Sequence, residues 1–249
     1  MNLVEGEGLG TAYEYHVKLR KLQRFINSMD RPRRILIAGL PERYGLSMDF
    51  LLIGQLLGAE TLVVDDRREV LERAQRIFEI LRMKEYFHAG RVAFSGLSSI
   101  SELRSQQLMG GGFDLALSSE VLQRLGGEIG PYLSQLADLA KSYALFAPNQ
   151  DNRSHAKVSG LRGVSLEELI GNCSRVNSGV QIYERGYIDM PPFPPGLSRS
   201  QETRERASRS RFEAIVMRGL EIAGRCENFW PTMIKRKRAH IVYVLGKTI

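Results

Sequence analysis

"RILIAGLPERYGLSMDF", Arg34 to Phe50, is the stretch that decides the fold. Arg34–Ala38 is apolar enough for a buried strand, and Ser47 is a fair N-cap for a helix. Strand, turn and helix in that order are what a doubly wound sheet uses to hold a cofactor at its carboxyl edge. The G-x-G-x-x-G pattern of such turns is absent. Gly39 and Gly45 remain, with Leu40, Pro41, Glu42, Arg43 and Tyr44 between them. Gly39 directly after the strand suits a bend with positive φ, and Pro41 stiffens the loop.

Outward from this turn the same rhythm repeats. Thr61–Val64 reads as a second strand ending in Asp65-Asp66. Val70, Leu71, Ala74, Ile77, Phe78 and Leu81 then follow the spacing of a helical face. Arg91–Phe94 is a short strand, followed by Ser95, Gly96 and Leu97 and a weak helix. Phe113–Leu117 is a fourth strand leading into Ser118, Ser119 and Glu120. A helix over Ile129–Lys141 and a strand over Tyr143–Ala147 continue the series. Ser165-Leu-Glu-Glu168 has capping-box spacing before another helix. Upstream, Tyr15, Leu19, Leu22, Ile26 and Met29 form one stripe. Lys18, Arg20, Lys21 and Arg24 fall off it and are assigned to the outer face of a first helix, which Arg31-Pro32-Arg33 ends.

The βαβα alternation predicts a Rossmann-like, doubly wound, mostly parallel α/β sheet of seven strands with helices on both faces. The end of the chain breaks the rhythm. Gly179–Tyr183, extending through Tyr187–Met190, and Ala239–Leu245 read as an antiparallel terminal hairpin at the sheet edge. Between them lie a Pro-rich stretch and a charged helix over Gln201–Cys226 with Phe212, Ile215, Val216, Leu220 and Ala223 on one face. Residues 1–249 are read as one domain. They divide into an N-terminal helix (1–30), a core (31–190), a helical insertion and candidate substrate lid (191–238), and a terminal strand (239–249).

The 249 residues are 43% hydrophobic and 25% charged, ordinary globular composition. The start is acidic and does not read as a signal peptide. No apolar run approaches the ~20 residues of a membrane span, and the expected compartment is the cytoplasm. Cys173 and Cys226 stand far apart and form no redox or zinc motif. His16, His88, His155 and His240 lack ligand spacing, so no metal site is expected. Neither a P-loop nor a nucleophile elbow occurs. The net charge of +7 is uneven: residues 199–240 carry eleven Lys/Arg against five Asp/Glu, and residues 16–34 carry seven against one. Basic ends around an acidic middle fit either an anionic partner, nucleic acid included, or a solvated helix face.

Three places could carry chemistry. One is the Gly39–Gly45 turn. A carboxylate at the end of the second strand, Asp65 or Asp66, accepts hydrogen bonds from a ribose diol or caps the next helix. Ser118, Ser119 and Glu120 stand at the carboxyl end of the fourth strand, where ligands bind in such sheets or a helix simply starts.

"FDLALSSEVLQRL" resembles the fourth-strand segment of the class I S-adenosylmethionine-dependent methyltransferases, in their type 11 form. "TLVVDDRREVLERAQRIF" is similar to their second strand and following helix, and "YALFAPNQDNRSHAKVSGLRGVSLEEL" to their fifth strand, Asn-containing loop and capped helix. The closing antiparallel strand fits as well, and the resemblance covers roughly residues 30–190 plus the last strand. It implies S-adenosyl-L-methionine as cofactor and a methyl transfer to an unidentified acceptor. Gly39, Leu40, Pro41 and Gly45 would meet the methionine part, Asp65 or Asp66 the ribose, and Ser95, Gly96 and Leu97 the adenine. Ser118, Ser119 and Glu120 would lie beside the sulfonium. Where the acceptor must lose a proton, Glu120 or His155 is the candidate base. Two positions depart from the family: Ile37 and Ala38 precede Gly39 without the usual acid, and Ser95 stands where an acid commonly follows strand three. The resemblance therefore leaves a second reading open, a methyltransferase-like fold without catalysis that serves as a binding or scaffold protein. A nicotinamide-dependent dehydrogenase is third, disfavoured by the missing glycines and the closing hairpin.

Overall fold

The computed structural model describes residues 9–41, 48–83, 92–96, 112–159, 162–176, 180–191 and 211–248. Helix α1 spans Leu9–Ile26 and leads to β1 (Arg34–Ala38), α2 (Met48–Leu57), β2 (Glu60–Val64), α3 (Arg68–Met83) and β3 (Val92–Ser95). Then come β4 (Leu115–Ser119), α4 (Leu122–Leu125), α5 (Ile129–Leu139), β5 (Ser142–Pro148), α6 (Arg153–Ser159) and α7 (Leu166–Val176). The chain closes with β6 (Val180–Ile188), α8 (Arg211–Cys226), α9 (Thr232–Arg238) and β7 (Ile241–Thr248).

The seven strands form one sheet in the order β3-β2-β1-β4-β5-β7-β6. The first five pair in parallel, with Ile35 beside Thr61 on one side and Leu115 on the other. β7 runs antiparallel to both β5 and β6, so it inserts between them and leaves β6 as the edge. The order reverses between β1 and β4, which opens the crevice where ligands bind in doubly wound sheets. The fold predicted from the alternation is therefore the one observed.

Strand alternation divides the core. Ile35, Ile37, Leu115, Leu117 and Phe146 face α1, α2, α3 and α8. Leu36, Ala38, Ala116, Leu145 and Ala147 face α5 and α7. Both faces of the central strands are covered, which is why they read as continuous apolar runs. Close approach of α2 to β2 depends on Gly54, where a Cβ would meet Thr61 Oγ1 at 2.2 Å. Glu168 N–H donates to Ser165 Oγ (3.0 Å), the first half of the capping box read from the sequence.

Several expectations need correction. β4 lies two residues later than predicted, so Ser118 and Ser119 belong to the strand itself. The strand read from 179 onward does extend as one, Val180–Ile188, with a bulge between Ile182 and Glu184. Most consequential is α1, whose buried face includes Tyr13, Val17, Phe25 and also Lys18, which is 0% exposed. The basic outer face assigned to this helix thus loses Lys18, and the half-buried Lys21 is ion-paired to Glu184 at 2.6 Å. The weak helix after Leu97 and the stretch 201–210 of the charged helix lie outside the described residues.

Candidate functional site

The carboxyl ends of β1 and β2 are laced together. Gly39 takes φ +87°, and a Cβ there would lie 2.8 Å from Val121 Cγ2 and 3.3 Å from Arg124 Nη2. Any side chain would therefore be strained by conformation and by contact. The turn carries the chain into Leu40, whose N–H donates to Asp65 Oδ2 (2.8 Å). Pro41 is buried behind it.

Asp65 is buried at the end of β2 and is the most heavily bonded carboxylate of this half of the site. Arg67 donates to Oδ1 from its backbone N–H (2.9 Å) and Nε (2.8 Å), and to Oδ2 from Nη2 (2.8 Å). The same Nη2 reaches the Leu40 carbonyl (2.7 Å). Arg124 of α4 comes across Gly39 to within 3.6 Å of Asp65 and 3.9 Å of the exposed Asp66. Burial alone would raise the Asp65 carboxyl. The hydrogen bonds from Arg67 and Leu40, with the Arg67 charge, outweigh it and hold the group below its ordinary range. Ser95 ends β3 next to it: the Asp65 N–H donates to the Ser95 carbonyl (3.3 Å), and the exposed Gly96 follows.

Alternation sends the two serines of β4 to opposite faces. The Tyr132 hydroxyl lies 2.7 Å from the Ala38 carbonyl and 2.8 Å from Ser118 Oγ. It donates to the carbonyl and accepts from the serine, bracing β1 against β4 from the α5 side. Ser119 points the other way, to Lys18 Nζ at 2.9 Å. Glu120 follows with φ +55°, its N–H on the Phe146 carbonyl (2.8 Å) and its carboxylate 3.2 Å from Lys18 Nζ. Glu14, one turn before Lys18 on α1, completes the ion-pair cluster, and the Phe146 ring lies under the ammonium at 6.0 Å. A fully buried ammonium is tolerated because carboxylates and a hydroxyl surround it.

Lys18 is the site residue that the sequence reading missed. Its helical position marked it as solvent-facing, and its partners stand 101 and 102 residues away. The one local signal was Glu14 at the i−4 position, the spacing of a helical ion pair.

A second polar knot closes the same end of the sheet. Glu227 is buried and accepts from Tyr13 Oη (2.6 Å), Asp189 N–H (3.2 Å) and Met190 N–H (2.5 Å). Burial pushes its carboxyl above the ordinary range, and neighbouring Asp189 adds to the rise. Asp189 itself has φ +70° and lies 3.1 Å from His240 Nδ1.

Of the predicted site residues, the fold gathers Gly39, Leu40, Pro41, Asp65, Asp66, Ser95, Gly96, Ser118, Ser119 and Glu120 at the carboxyl ends of β1 to β4. His155 lies farther along, on α6 after β5. Gly45 and Leu97 lie outside the described residues. Among the described residues no cluster of His, Cys, Asp or Glu could hold a metal ion. Cys173 is a core residue whose thiol burial pushes up to about 11. No helix among the described residues is long and apolar enough to cross a membrane.

No family model matches the chain, and no curated protein does. Solved structures do. The plantazolicin methyltransferase BpumL, in complex with SAH, superposes with a TM-score of 0.56 at 12% identity over 96% of this chain and 86% of its own. The chain has the fold of the methyltransferases. Another plantazolicin methyltransferase, BamL, solved with a triazolic desmethylPZN analog and SAH, gives 0.53 at 12% identity, covering 95% and 84%. The magnesium protoporphyrin IX methyltransferase ChlM from Synechocystis PCC 6803, with bound SAM, gives 0.52 at 11%, covering 94% and 79%.

A glycine of positive φ after β1 and a buried, ionised carboxylate after β2 suit a nucleoside seated across the two strand ends. The capacity of that carboxylate is another matter. Its two oxygens already accept four hydrogen bonds from Arg67 and Leu40, about the number of lone-pair sites a carboxylate offers. Room for a ribose diol would require the Arg67 guanidinium, which is partly exposed, to turn outward and free an acceptor.

Proposed function

We propose that the chain is a class I, type 11-like methyltransferase that uses S-adenosyl-L-methionine to methylate an unidentified acceptor. The observation that carries this reading is the juxtaposition of the Gly39 turn with the buried Asp65 carboxylate at the β1/β4 switch point. The likeness of fold to enzymes solved with SAM or SAH supports it. When bound, the cofactor supplies a methyl group already activated on a sulfonium. What remains for the protein is to align the acceptor, exclude water and manage one proton. Asp65 would take the ribose hydroxyls. Ser95 and Gly96 would border the adenine, and Ser119 and Glu120 the sulfonium end. Glu120 would receive the proton of an acceptor O–H or N–H, with Lys18 as the positioning residue that holds its carboxylate. His155 is the second candidate for that proton. Residues 191–238 remain the candidate substrate lid, of which 192–210 lie outside the described residues.

The saturated Asp65 favours a competing reading, a methyltransferase-like binding protein in which Arg67 has replaced the ligand. One titration separates the two. Calorimetry with SAH is expected to show binding that Asp65→Ala abolishes and that Arg67→Ala tightens about tenfold, by freeing acceptors worth ~1.4 kcal/mol. Absence of heat at millimolar SAH, in the wild type and in Arg67→Ala alike, would refute the enzyme reading and leave the binding protein.

A further inference from the structure

We propose that the turn Glu227–Phe229 and helix α9 form a docking surface for an anionic lipid bilayer. Phe229 is 87% exposed, Trp230 47% and Met233 78%, three large apolar side chains within five positions. Scattered exposed apolar residues are ordinary; a contiguous cluster is not. Every residue of α9 lies at least partly on the surface. Its last turn reads Lys235, Arg236, Lys237 and Arg238.

The segment is held, not loose. Glu227, at its start, is bonded to α1 and to the backbone after β6. At its end, Asn149 Nδ2 donates to the carbonyls of Arg236 and Ala239 (both 2.8 Å), and Asn152 Nδ2 to that of Arg238 (2.8 Å). Arg236 also pairs with Asp151 (2.8 Å) and Glu167 (3.1 Å). Polar anchors on both sides therefore fix an apolar tip in water, an arrangement that folding alone does not require.

Aromatic and thioether side chains that project, followed at once by cations, match the interface of a bilayer. The rings sit at headgroup depth and the charges meet anionic lipids. A platform for single-stranded nucleic acid instead places its aromatics within a basic groove, where bases stack. Phe229 and Met233 are instead 87% and 78% exposed. The surface also lies at the end of the sheet that carries Glu120, because Ile241 at the start of β7 pairs with Pro148 at the end of β5. An enzyme docked this way would present its site to an amphiphilic acceptor. Presentation of the site to such an acceptor rests on the proposed methyl transfer; the docking does not.

Trp230 is the single tryptophan of the chain, so its emission reports directly on the surface. The full chain is titrated with phosphatidylcholine vesicles with and without roughly one third phosphatidylglycerol. The expected result is a blue shift of Trp230 emission and partitioning about tenfold stronger onto the anionic vesicles, weakening with salt. Phe229→Ser with Met233→Ser should reduce partitioning at least about tenfold at unchanged melting temperature, since both side chains lie in water. Lys237→Glu with Arg238→Glu should remove the preference for anionic lipid. An unshifted emission with every vesicle overturns the proposal. So does vesicle binding indifferent to both double variants, or a response to a single-stranded oligonucleotide but not to vesicles. SAH calorimetry on the same preparations reads the cofactor separately, so loss of one result leaves the other standing.

Discussion

Two charged clusters stand at the carboxyl end of the same sheet, one built from neighbours and one from across the chain. Asp65 is satisfied by Arg67, two residues on, and by Leu40 in the adjacent turn. Lys18 is satisfied by Ser119 and Glu120, which reach it only because α1 packs against the β4 side of the sheet. The local cluster is lined by partly exposed arginines, whereas the distant one encloses a cation with no solvent contact. The difference predicts different costs of damage. Breaking a buried pair leaves an uncompensated charge, while water can replace a partner at the rim.

The largest effect is therefore expected at Lys18. Lys18→Ala should lower stability by about 3–5 kcal/mol in urea unfolding, because Glu120 is left buried without its cation. Adding Glu120→Gln to Lys18→Met should recover much of that loss, since the partly exposed Glu14 is then the one member of the cluster that keeps its charge. A Lys18→Ala variant within about 1 kcal/mol of wild type, the range of a surface pair, would erase the contrast between the clusters.

Gly39 tests the local half. Gly39→Ala forces a Cβ into a left-handed conformation and against Val121, at an expected cost of about 1–3 kcal/mol. Val121→Ala in the same chain should relieve the contact and leave the conformational part. Full recovery in that double variant would mean that crowding, not φ, makes glycine necessary here.

The contrast also explains what could be read from the chain. β1, β2 and α3, the Gly39 turn and Asp65 follow from periodicity and from chemistry within a few residues, and the observed elements match them closely. Strand alternation was legible too, but its consequence for Ser118 and Ser119 was not, because β4 begins two residues later than the apolar run implied. Lys18 was unreadable for a different reason. A lysine off the apolar stripe of an amphipathic helix is ordinarily solvated, and only tertiary packing brings Ser119 and Glu120 to it. Glu227 is a similar case: its donors come from α1 and from the end of β6. The β-hairpin was legible in the strands, while the insertion of β7 inside β6 followed from the family resemblance alone, because pairing partners are not encoded in strand composition.

The smallest and most discriminating effect concerns pH. The Asp65 carboxyl is held below its ordinary value, so its contribution is complete above the unfolded pKa of about 3.9 and is lost as pH falls through the lower folded value. Asp65→Asn should therefore cost about 1–3 kcal/mol at pH 7, and its deficit should shrink as the pH is brought down through the carboxylate range. Glu227 carries the opposite sign. Its folded pKa is raised, so its contribution is present below an unfolded value of about 4.3 and declines as pH rises through the folded one. Relative to Glu227→Gln, the wild type should lose stability with rising pH over that interval. Urea midpoints of both variants and the wild type, measured from pH 3 to pH 8, give the two slopes. Parallel slopes would mean that the two carboxylates share one environment. Opposed slopes follow from the structure, in which four donors surround Asp65 and burial dominates Glu227.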